Sequence, residues 1–155
     1  MKLLFKQRFF SWFDSYDIYN EAGDTVYTVE GKLAWGHKLE IHDKDGNHIA
    51  TLTERIFTFL PKFEMYVGGE YIGEIVKKFT LFKPAFEIGC YGYTVKGDFF
   101  EWDYQIMDGE RTVATIEKEL LHFTDTYAID VSDERDALAS LMIVLAIDAV
   151  KCSQK

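Results

Sequence analysis

The fold of this chain is decided by one stretch, Asp136-Ala-Leu-Ala-Ser-Leu-Met-Ile-Val-Leu-Ala-Ile-Asp148-Ala-Val-Lys151. Apolar residues lie on every side of the helix that this stretch would form, so no face is left for solvent. Ser132 and Asp133 are good N-cap residues, and Asp136 and Lys151 have the favourable charges for the two ends of the helix dipole. The stretch therefore predicts a helix that is surrounded on all sides.

The length of this helix indicates what surrounds it. Its uninterrupted apolar part, Ala137 to Ile147, is shorter than the ~20 residues that a membrane span needs, and Asp148 interrupts any extension. A helix over residues 133–151 would be roughly 28 Å long at ~1.5 Å per residue, about the height of a β-barrel. We predict a helix inside a barrel; a terminal membrane anchor and a helix at an oligomer interface are the alternatives. The positions expected to be buried are Leu141, Ile143, Leu145 and Ile147.

Composition places the chain among folded globular proteins. Of 155 residues, 48% are hydrophobic and 16% are aromatic, which predicts a single domain, residues 1–155, with a full core. Strands are expected within residues 1–131 and the helix within residues 132–151. No segment of signal-peptide type opens the chain, which favours the cytoplasm. Cys90 and Cys152 are too few and too far apart for a disulfide framework or a zinc site.

The charge balance argues against one class of partner. Seventeen basic and twenty-six acidic residues give a net charge of −9, whereas nucleic-acid binding needs a basic footprint. A surface of anionic lipid would also repel the molecule on average, so only a local basic cluster could hold it there. We expect no nucleic-acid partner and no transmembrane span.

Two copies of one pattern run through the chain. The first contains Tyr27-Thr-Val-Glu-Gly-Lys, Leu39-Glu-Ile, Asp45-Gly46, Ile49-Ala-Thr-Leu and Phe63-Glu-Met-Tyr-Val. The second contains Tyr93-Thr-Val-Lys-Gly-Asp, Tyr104-Gln-Ile, Asp108-Gly109, Val113-Ala-Thr-Ile and Tyr127-Ala-Ile-Asp-Val. Alternating residues and turn signals indicate about twelve short strands. Because eleven-stranded cans hold a central helix, we predict a mainly β protein: a twelve-stranded closed barrel of two similar halves, residues 2–62 and 63–131, around the C-terminal helix.

Aromatic corners end several of the predicted strands. They are Phe10-Ser-Trp-Phe, Phe57-Thr-Phe-Leu, Phe79-Thr-Leu-Phe and, more loosely, Leu121-His-Phe-Thr. Each corner is expected either to cap the barrel and turn the chain, or to mark where a strand crosses the core. The three tryptophans, at positions 12, 35 and 102, are expected in the core.

Six segments distributed over nearly the whole chain match a known family. They are Tyr27–Lys32, Lys38–Asp43, Phe63–Tyr66, Val95–Phe100, Asp125–Asp130 and Ile147-Asp148. By these segments the sequence resembles the LURP-one-related (LOR) family of the tubby C-terminal-like superfamily, which also includes the phospholipid scramblases. The resemblance implies a twelve-stranded barrel around a buried C-terminal helix. Tubby-like relatives bind phosphoinositide headgroups and scramblase relatives act at membranes, but the tubby lipid site has no counterpart in this sequence.

Motifs of catalysis or metal binding are missing from the sequence. Histidines 37, 42, 48 and 122 show no metal-ligand spacing, and no zinc, nucleophile-elbow, P-loop or dinucleotide pattern occurs. His37 and His42 could approach across a hairpin, but a pair of surface histidines is the simpler interpretation. Cys90 lies in a glycine-flanked loop that would suit an exposed nucleophile, yet no base accompanies it. We expect no catalytic residue, no metal and no cofactor.

Basic residues around the third corner form the candidate ligand site. Lys77, Lys78 and Lys83 bracket Phe79 and Phe82, and cations beside aromatic rings suit an anionic lipid headgroup at a membrane interface. The first corner has a similar arrangement, with Lys6 and Arg8 before Phe9–Phe13.

The predicted function is a non-enzymatic binding or scaffold module for an anionic lipid headgroup or a protein partner, placed in the cytoplasm or peripherally at the membrane. One alternative is an enzyme with a small-molecule site at a barrel mouth, which requires converging titratable groups beside a pocket. Another is a purely protein-binding module, which requires an exposed apolar patch.

Overall fold

Twelve antiparallel strands form one sheet that curls into a nearly closed barrel around a single helix. The computed structural model describes residues 1–6, 15–32, 34–81, 84–99, 101–119 and 126–153. The strands are β1 (Lys2–Lys6), β2 (Ser15–Tyr19), β3 (Thr25–Lys32), β4 (Lys38–Asp43), β5 (His48–Glu54), β6 (Lys62–Val67), β7 (Glu70–Lys78), β8 (Ala85–Ile88), β9 (Tyr93–Asp98), β10 (Asp103–Asp108), β11 (Arg111–Glu119) and β12 (Thr126–Val131). A 3₁₀ turn (Glu134–Asp136) leads into helix α1 (Ala137–Ser153). The predicted fold class is confirmed.

The barrel is open between β8 and β9, which are the two ends of the sheet order. β1 pairs with β12, which joins the first strand to the last. β8 and β9 are the two edge strands; they lie side by side, but the described residues form no ladder between them. The Gly89 N–H donates to the Glu74 carbonyl of β7 at 2.7 Å, so the chain after β8 follows β7 rather than β9. Closure is therefore less complete than the sequence predicted.

The internal repeat reappears in the strand registers. β3 to β6 correspond to β9 to β12, six places away in a twelve-stranded sheet. The equivalent cross-strand pairs are Val29–Ile41 and Val95–Ile106, Leu39–Leu52 and Tyr104–Ile116, and Ala50–Val67 and Ala114–Val131. In these strands both halves fold by one plan. The division between six-stranded halves falls at the Gly68-Gly69 turn between β6 and β7, rather than after residue 62.

A β-bulge is repeated together with the register. In the β4–β5 pair the register shifts so that Ile49 is the extra residue, and in the β10–β11 pair Val113 has the same place. A bulge increases the local twist of the strand that contains it. The sequence alignment of Ile49 with Val113 thus identifies two residues that bend the barrel wall at equivalent points.

Helix α1 fills the barrel. Leu141, Ile143, Leu145 and Ile147 are each at most 2% exposed although they point in different directions. Leu138 is the partly buried exception near its start. Near the other end, the Lys151 Nζ lies 4.2 Å from the centre of the Trp102 ring, which is itself stacked on Tyr127 at 3.9 Å.

A buried polar contact fixes the start of the helix. The Tyr93 hydroxyl donates to Asp136 Oδ1 at 2.8 Å, and Arg111 Nη1 donates to Asp136 Oδ2 at 3.2 Å. Asp133 is the N-cap of the preceding turn and accepts from the Arg135 N–H. Burial, followed by the hydrogen bond to Asp136, raises the pKa of Tyr93 to about 12.

We expect this contact to make the protein sensitive to alkali. The pKa of Tyr93 is higher in the folded chain than the ordinary value of about 10, so its stabilising contribution is complete below pH ~10 and is lost as the pH rises toward ~12. Urea unfolding between pH 8 and 12 should show this decline. Tyr93→Phe should make the free energy of unfolding fall less steeply with pH, whereas the exposed Tyr91→Phe should not change this pH dependence. The same pH dependence in all three proteins would contradict the assignment.

Candidate functional site

Large exposed apolar side chains mark one end of the barrel. Because the strands alternate in direction, the loops after β3, β5 and β7 lie at the same end, which we call the upper end. Among the described residues, the five large hydrophobic side chains that are at least 71% exposed all belong to these loops: Trp35, Phe57, Phe59, Phe79 and Leu81. We call these five residues the aromatic rim.

The opposite, lower end differs in both exposure and charge. Its large exposed side chains are less protruding, at 37–58% exposed: Met1, Tyr19, Tyr71 and Tyr91. Its exposed loops contain the acidic residues Glu21, Asp24, Asp45, Glu110 and Glu134. The end away from the aromatic rim therefore exposes several acidic side chains.

Lysines border the aromatic rim. The upper termini of β3, β4, β6 and β7 are occupied by Lys32, Lys38, Lys62 and Lys78. Acids occupy those of β9, β10 and β11, which are Asp98, Asp103 and Glu119, and that of β5, which is Glu54. That carboxylate contacts the His37 imidazole. Cations thus lie at the strand ends next to the aromatic rim, with Lys32 and Lys62 each paired with a carboxylate.

Backbone contacts join the three rim loops. The Glu54 N–H donates to the His37 carbonyl at 2.8 Å, and the Lys77 N–H donates to the Pro61 carbonyl at 3.0 Å. Gly36 lies so close to Ile56 that a Cβ atom there would be 2.9 Å from the Ile56 side chain. The rim is therefore built on loops that are tied to the barrel wall and to each other.

The candidate residues from the third corner are distributed unevenly. Lys78 and Phe79 are exposed at the upper end, whereas Lys77 is partly buried and shares its face of β7 with Ile75. Within the described ranges neither lysine forms an ion pair. Phe82 and Lys83 lie outside the described residues, as do the first corner and the fourth. The structure thus presents Lys78 and Phe79 together, with Lys77 behind them.

Sequence reasoning singled out the corners that contain Phe57, Phe59, Phe79 and Leu81, but it assigned only Phe79 to a binding site, and it missed Trp35. Trp35 was expected in the core, but it is 82% exposed, whereas Trp102 is buried as expected; Trp12 lies outside the described residues. The sequence contained a usable signal: the aromatic corners follow odd-numbered strands. In an antiparallel barrel this parity alone would place all of them at one end.

Comparisons with known proteins agree with this fold. The family model described as LOR, LURP-one-related, matches residues 1–148. This chain belongs to the LURP-one-related family. An uncharacterized protein of Bacillus subtilis (strain 168), YxjI, is 29% identical over 151 residues, which cover 97% of this chain and 93% of that protein. An X-ray structure of an Arabidopsis thaliana protein has a TM-score of 0.61 at 18% identity and covers 93% of this chain and 88% of that one, a likeness of fold alone.

Cys90 of this LOR protein is not the exposed thiol that its loop suggested. The side chain is 3% exposed, and its Sγ lies 3.8 Å from Met65 Sδ. Burial raises the pKa of the Cys90 thiol to about 11. Because the thiolate is the nucleophilic form, Cys90 is an unreactive core residue at neutral pH.

Three titratable groups near the lower mouth of the LOR barrel form the hydrogen-bonded contact that anchors the helix: Tyr93, Asp136 and Arg111. In the described ranges no helix combines the length and the hydropathy that a membrane-spanning segment needs. The aromatic rim is the feature of this LOR chain that most requires a functional explanation.

Proposed function

We propose that this LOR protein is a peripheral binding module that docks onto anionic lipid surfaces through its aromatic rim. The observation that supports the proposal is the coincidence of five protruding apolar side chains with four strand-terminal lysines at one end of the barrel. Aromatic rings favour the membrane interface, and adjacent cations attract anionic headgroups.

The shape of the rim favours contact with a membrane over contact with a preformed groove on a protein partner. Phe57 and Phe59 are 95% and 91% exposed, so each ring protrudes singly from its loop instead of lining a shared concave pocket. Protein interfaces gain most from anchors that fill fitted pockets, whereas the headgroup region accepts separate rings without a matching cavity. The protein-partner alternative retains the exposed apolar patch in its favour, and the test below separates the two.

The net charge of −9 weighs less against the proposal than its size suggests, although the upper end also contains the exposed acids Asp98, Glu101 and Asp103. With the aromatic rim against the membrane, the acidic loops of the lower end face away by roughly the height of the barrel. At ~0.1 M salt the Debye length is ~10 Å, so charges at the far end are largely screened from the lipid surface. Each lysine near the surface contributes about 1 kcal/mol. The expected binding is weak and sensitive to salt.

The proposal also gains support from the resemblance to the tubby-like superfamily, whose members meet phosphoinositide headgroups or act at membranes. The tubby lipid site has no residue-by-residue counterpart here. The proposed contact is therefore the rim of this chain, and a headgroup of a particular kind is not implied.

Co-sedimentation with liposomes tests the proposal. We expect the wild type to pellet with vesicles that contain anionic lipid, to pellet less with neutral vesicles, and to be released as salt rises. Two variants should lose most of the pelleted fraction: Phe57→Ser with Phe59→Ser, and Lys77→Glu with Lys78→Glu and Lys83→Glu.

The control places the same kind of charge change at the other end of the barrel. Lys2→Glu with Lys44→Glu alters the lower end and should pellet almost as the wild type does. Equal pelleting of all these proteins, or none by the wild type, would overturn the lipid proposal and leave a protein partner as the occupant of the rim.

A further inference from the structure

A cluster of metal-ligating side chains lies on β3 and β4, on the outer wall of the barrel. Glu30 on β3 and Glu40 and His42 on β4 each offer one ligand atom, and the three atoms lie within 4.8 Å of one another. Glu30 and Glu40 are direct cross-strand partners. Like charges that face each other across a ladder are destabilising, so this pair requires a cation between its carboxylates.

The hydrogen bonds of His42 fix its tautomer. The Nδ1 atom lies 3.3 Å from the Gly46 carbonyl, which can only accept, so Nδ1 is the protonated nitrogen. In the neutral ring Nε2 then has the lone pair; this atom is buried, forms no hydrogen bond with the described residues, and lies 3.5 Å from Glu30 Oε2. Metal-bound histidines typically donate their other ring N–H to a backbone carbonyl in this way.

His48 repeats the arrangement at the edge of the cluster. Its Nε2 lies 3.0 Å from the Ala50 carbonyl and 2.7 Å from Thr51 Oγ1, which leaves Nδ1 as the lone pair. Nδ1 is 3.8 Å from Glu40 Oε1. The His42 and His48 rings are 5.3 Å apart, so His48 lies at the edge of the three-residue group, and its exposed side chain needs a small rotation to join it.

A lysine supplies the cation in the described structure. Lys32 Nζ is 2.9 Å from Glu30 Oε2 and 3.3 Å from Glu40 Oε2. Its hydrogen bond and charge lower the pKa of Glu30. Lys32 is the last residue of β3 and its side chain is 44% exposed. A long side chain at a strand end can turn out to solvent and vacate the space between the carboxylates.

We propose that Glu30, Glu40 and His42, with His48 as a fourth ligand, bind a divalent transition-metal ion of the zinc class, and that Lys32 is the internal cation that this metal displaces. Two imidazole nitrogens and two carboxylate oxygens match the donor set and coordination number of zinc. A hard ion such as Mg²⁺ or Ca²⁺ would instead require oxygen ligands throughout. The ligands belong to paired strands, so the ladder holds them in place before the metal arrives.

Metal titration of purified, chelator-treated protein tests the site. We expect calorimetry with Zn²⁺ to show one site per chain, and Co²⁺ to give the visible absorption of a four-coordinate ion; Mg²⁺ and Ca²⁺ should bind far more weakly. His42→Asn and Glu40→Gln each remove a ligand, so each should weaken Zn²⁺ binding by more than the roughly 10–100-fold that is typical of a second-shell change.

Two further variants distinguish a built site from adventitious binding. His37→Asn removes a histidine that pairs with Glu54 outside the cluster, so Zn²⁺ affinity should not change. Lys32→Met removes the competitor, and affinity should rise by about fivefold, the factor given by one well-formed exposed ion pair.

The site would be refuted by three outcomes: no Zn²⁺ binding by the wild type, equal loss in the His37 and His42 variants, or weaker binding after Lys32→Met. Because His42 and Glu40 lie on the outer wall, the metal-free His42→Asn and Glu40→Gln variants should unfold at nearly the wild-type temperature. That measurement separates loss of the metal site from loss of the fold.

Discussion

Replacing Leu145 with aspartate should abolish the folded state. Leu145 is 2% exposed at the centre of a helix that the barrel wall surrounds, so the new carboxylate would be buried without a partner. A charge in this position costs several kcal/mol, which is comparable with the ~5–15 kcal/mol stability of a whole domain. We expect Leu145→Asp to be recovered mainly as insoluble protein, with no cooperative thermal transition in any soluble fraction.

Two substitutions in the same helix serve as controls. Leu145→Met conserves volume and should cost less than ~1.5 kcal/mol. Leu138→Asp places the same charge at a partly buried position near the helix start, where solvent is within reach, and should remain folded. A soluble, cooperatively folding Leu145→Asp protein would refute the enclosed helix.

The second large effect is expected at Gly73 on β7. A Cβ atom there would be 2.1 Å from the Gly89 carbonyl oxygen and 2.7 Å from its carbonyl carbon, and the φ angle is +147°. These atoms belong to the backbone that leads from β8 toward the open edge, so they cannot move aside as a side chain could. We expect Gly73→Ala to lower the free energy of unfolding by ~3 kcal/mol or more in urea titrations, within the range of severe single substitutions.

Gly69 provides the matched control for the backbone strain alone. Its φ angle is +82°, and a Cβ atom there meets nothing within 4 Å. Gly69→Ala should therefore cost only the ~1–2 kcal/mol of a left-handed alanine. If the two alanines cost the same, the close approach of β7 to Gly89 contributes nothing to stability.

The fold could be predicted from the sequence because the two strongest sequence patterns have direct physical causes. A helix without a polar face must be enclosed. The strand register around Ile49 is repeated around Val113, and a repeated register leaves matching residues in both halves of the sequence. The open edge was not readable. It follows from the pairing of β8 with β7, which the hydrogen bond from Gly89 to Glu74 extends, and a pattern of apolar residues contains no information about which neighbour a short loop follows.

The candidate sites were readable only in part, for a related reason. Lys78 and Phe79 are adjacent in the chain, so the sequence alone identified them as a basic and aromatic cluster. Trp35 joins them at the aromatic rim only because antiparallel strands return to the same end. Glu30 and His42 are brought within reach by the β3–β4 register, and no spacing along the chain identifies them as a pair.

The position of α1 at the end of the described chain has a consequence for biosynthesis. A ribosome delivers all twelve strands before it delivers the segment that they enclose, and β1 must wait for β12 before the wall can join. Proteins that fold in this order expose apolar strand surface while translation proceeds at ~5–20 residues per second. Until the last turns of α1 leave the ribosomal tunnel, the apolar inner surface of the strands stays exposed. We expect the nascent chain to bind chaperones during that time.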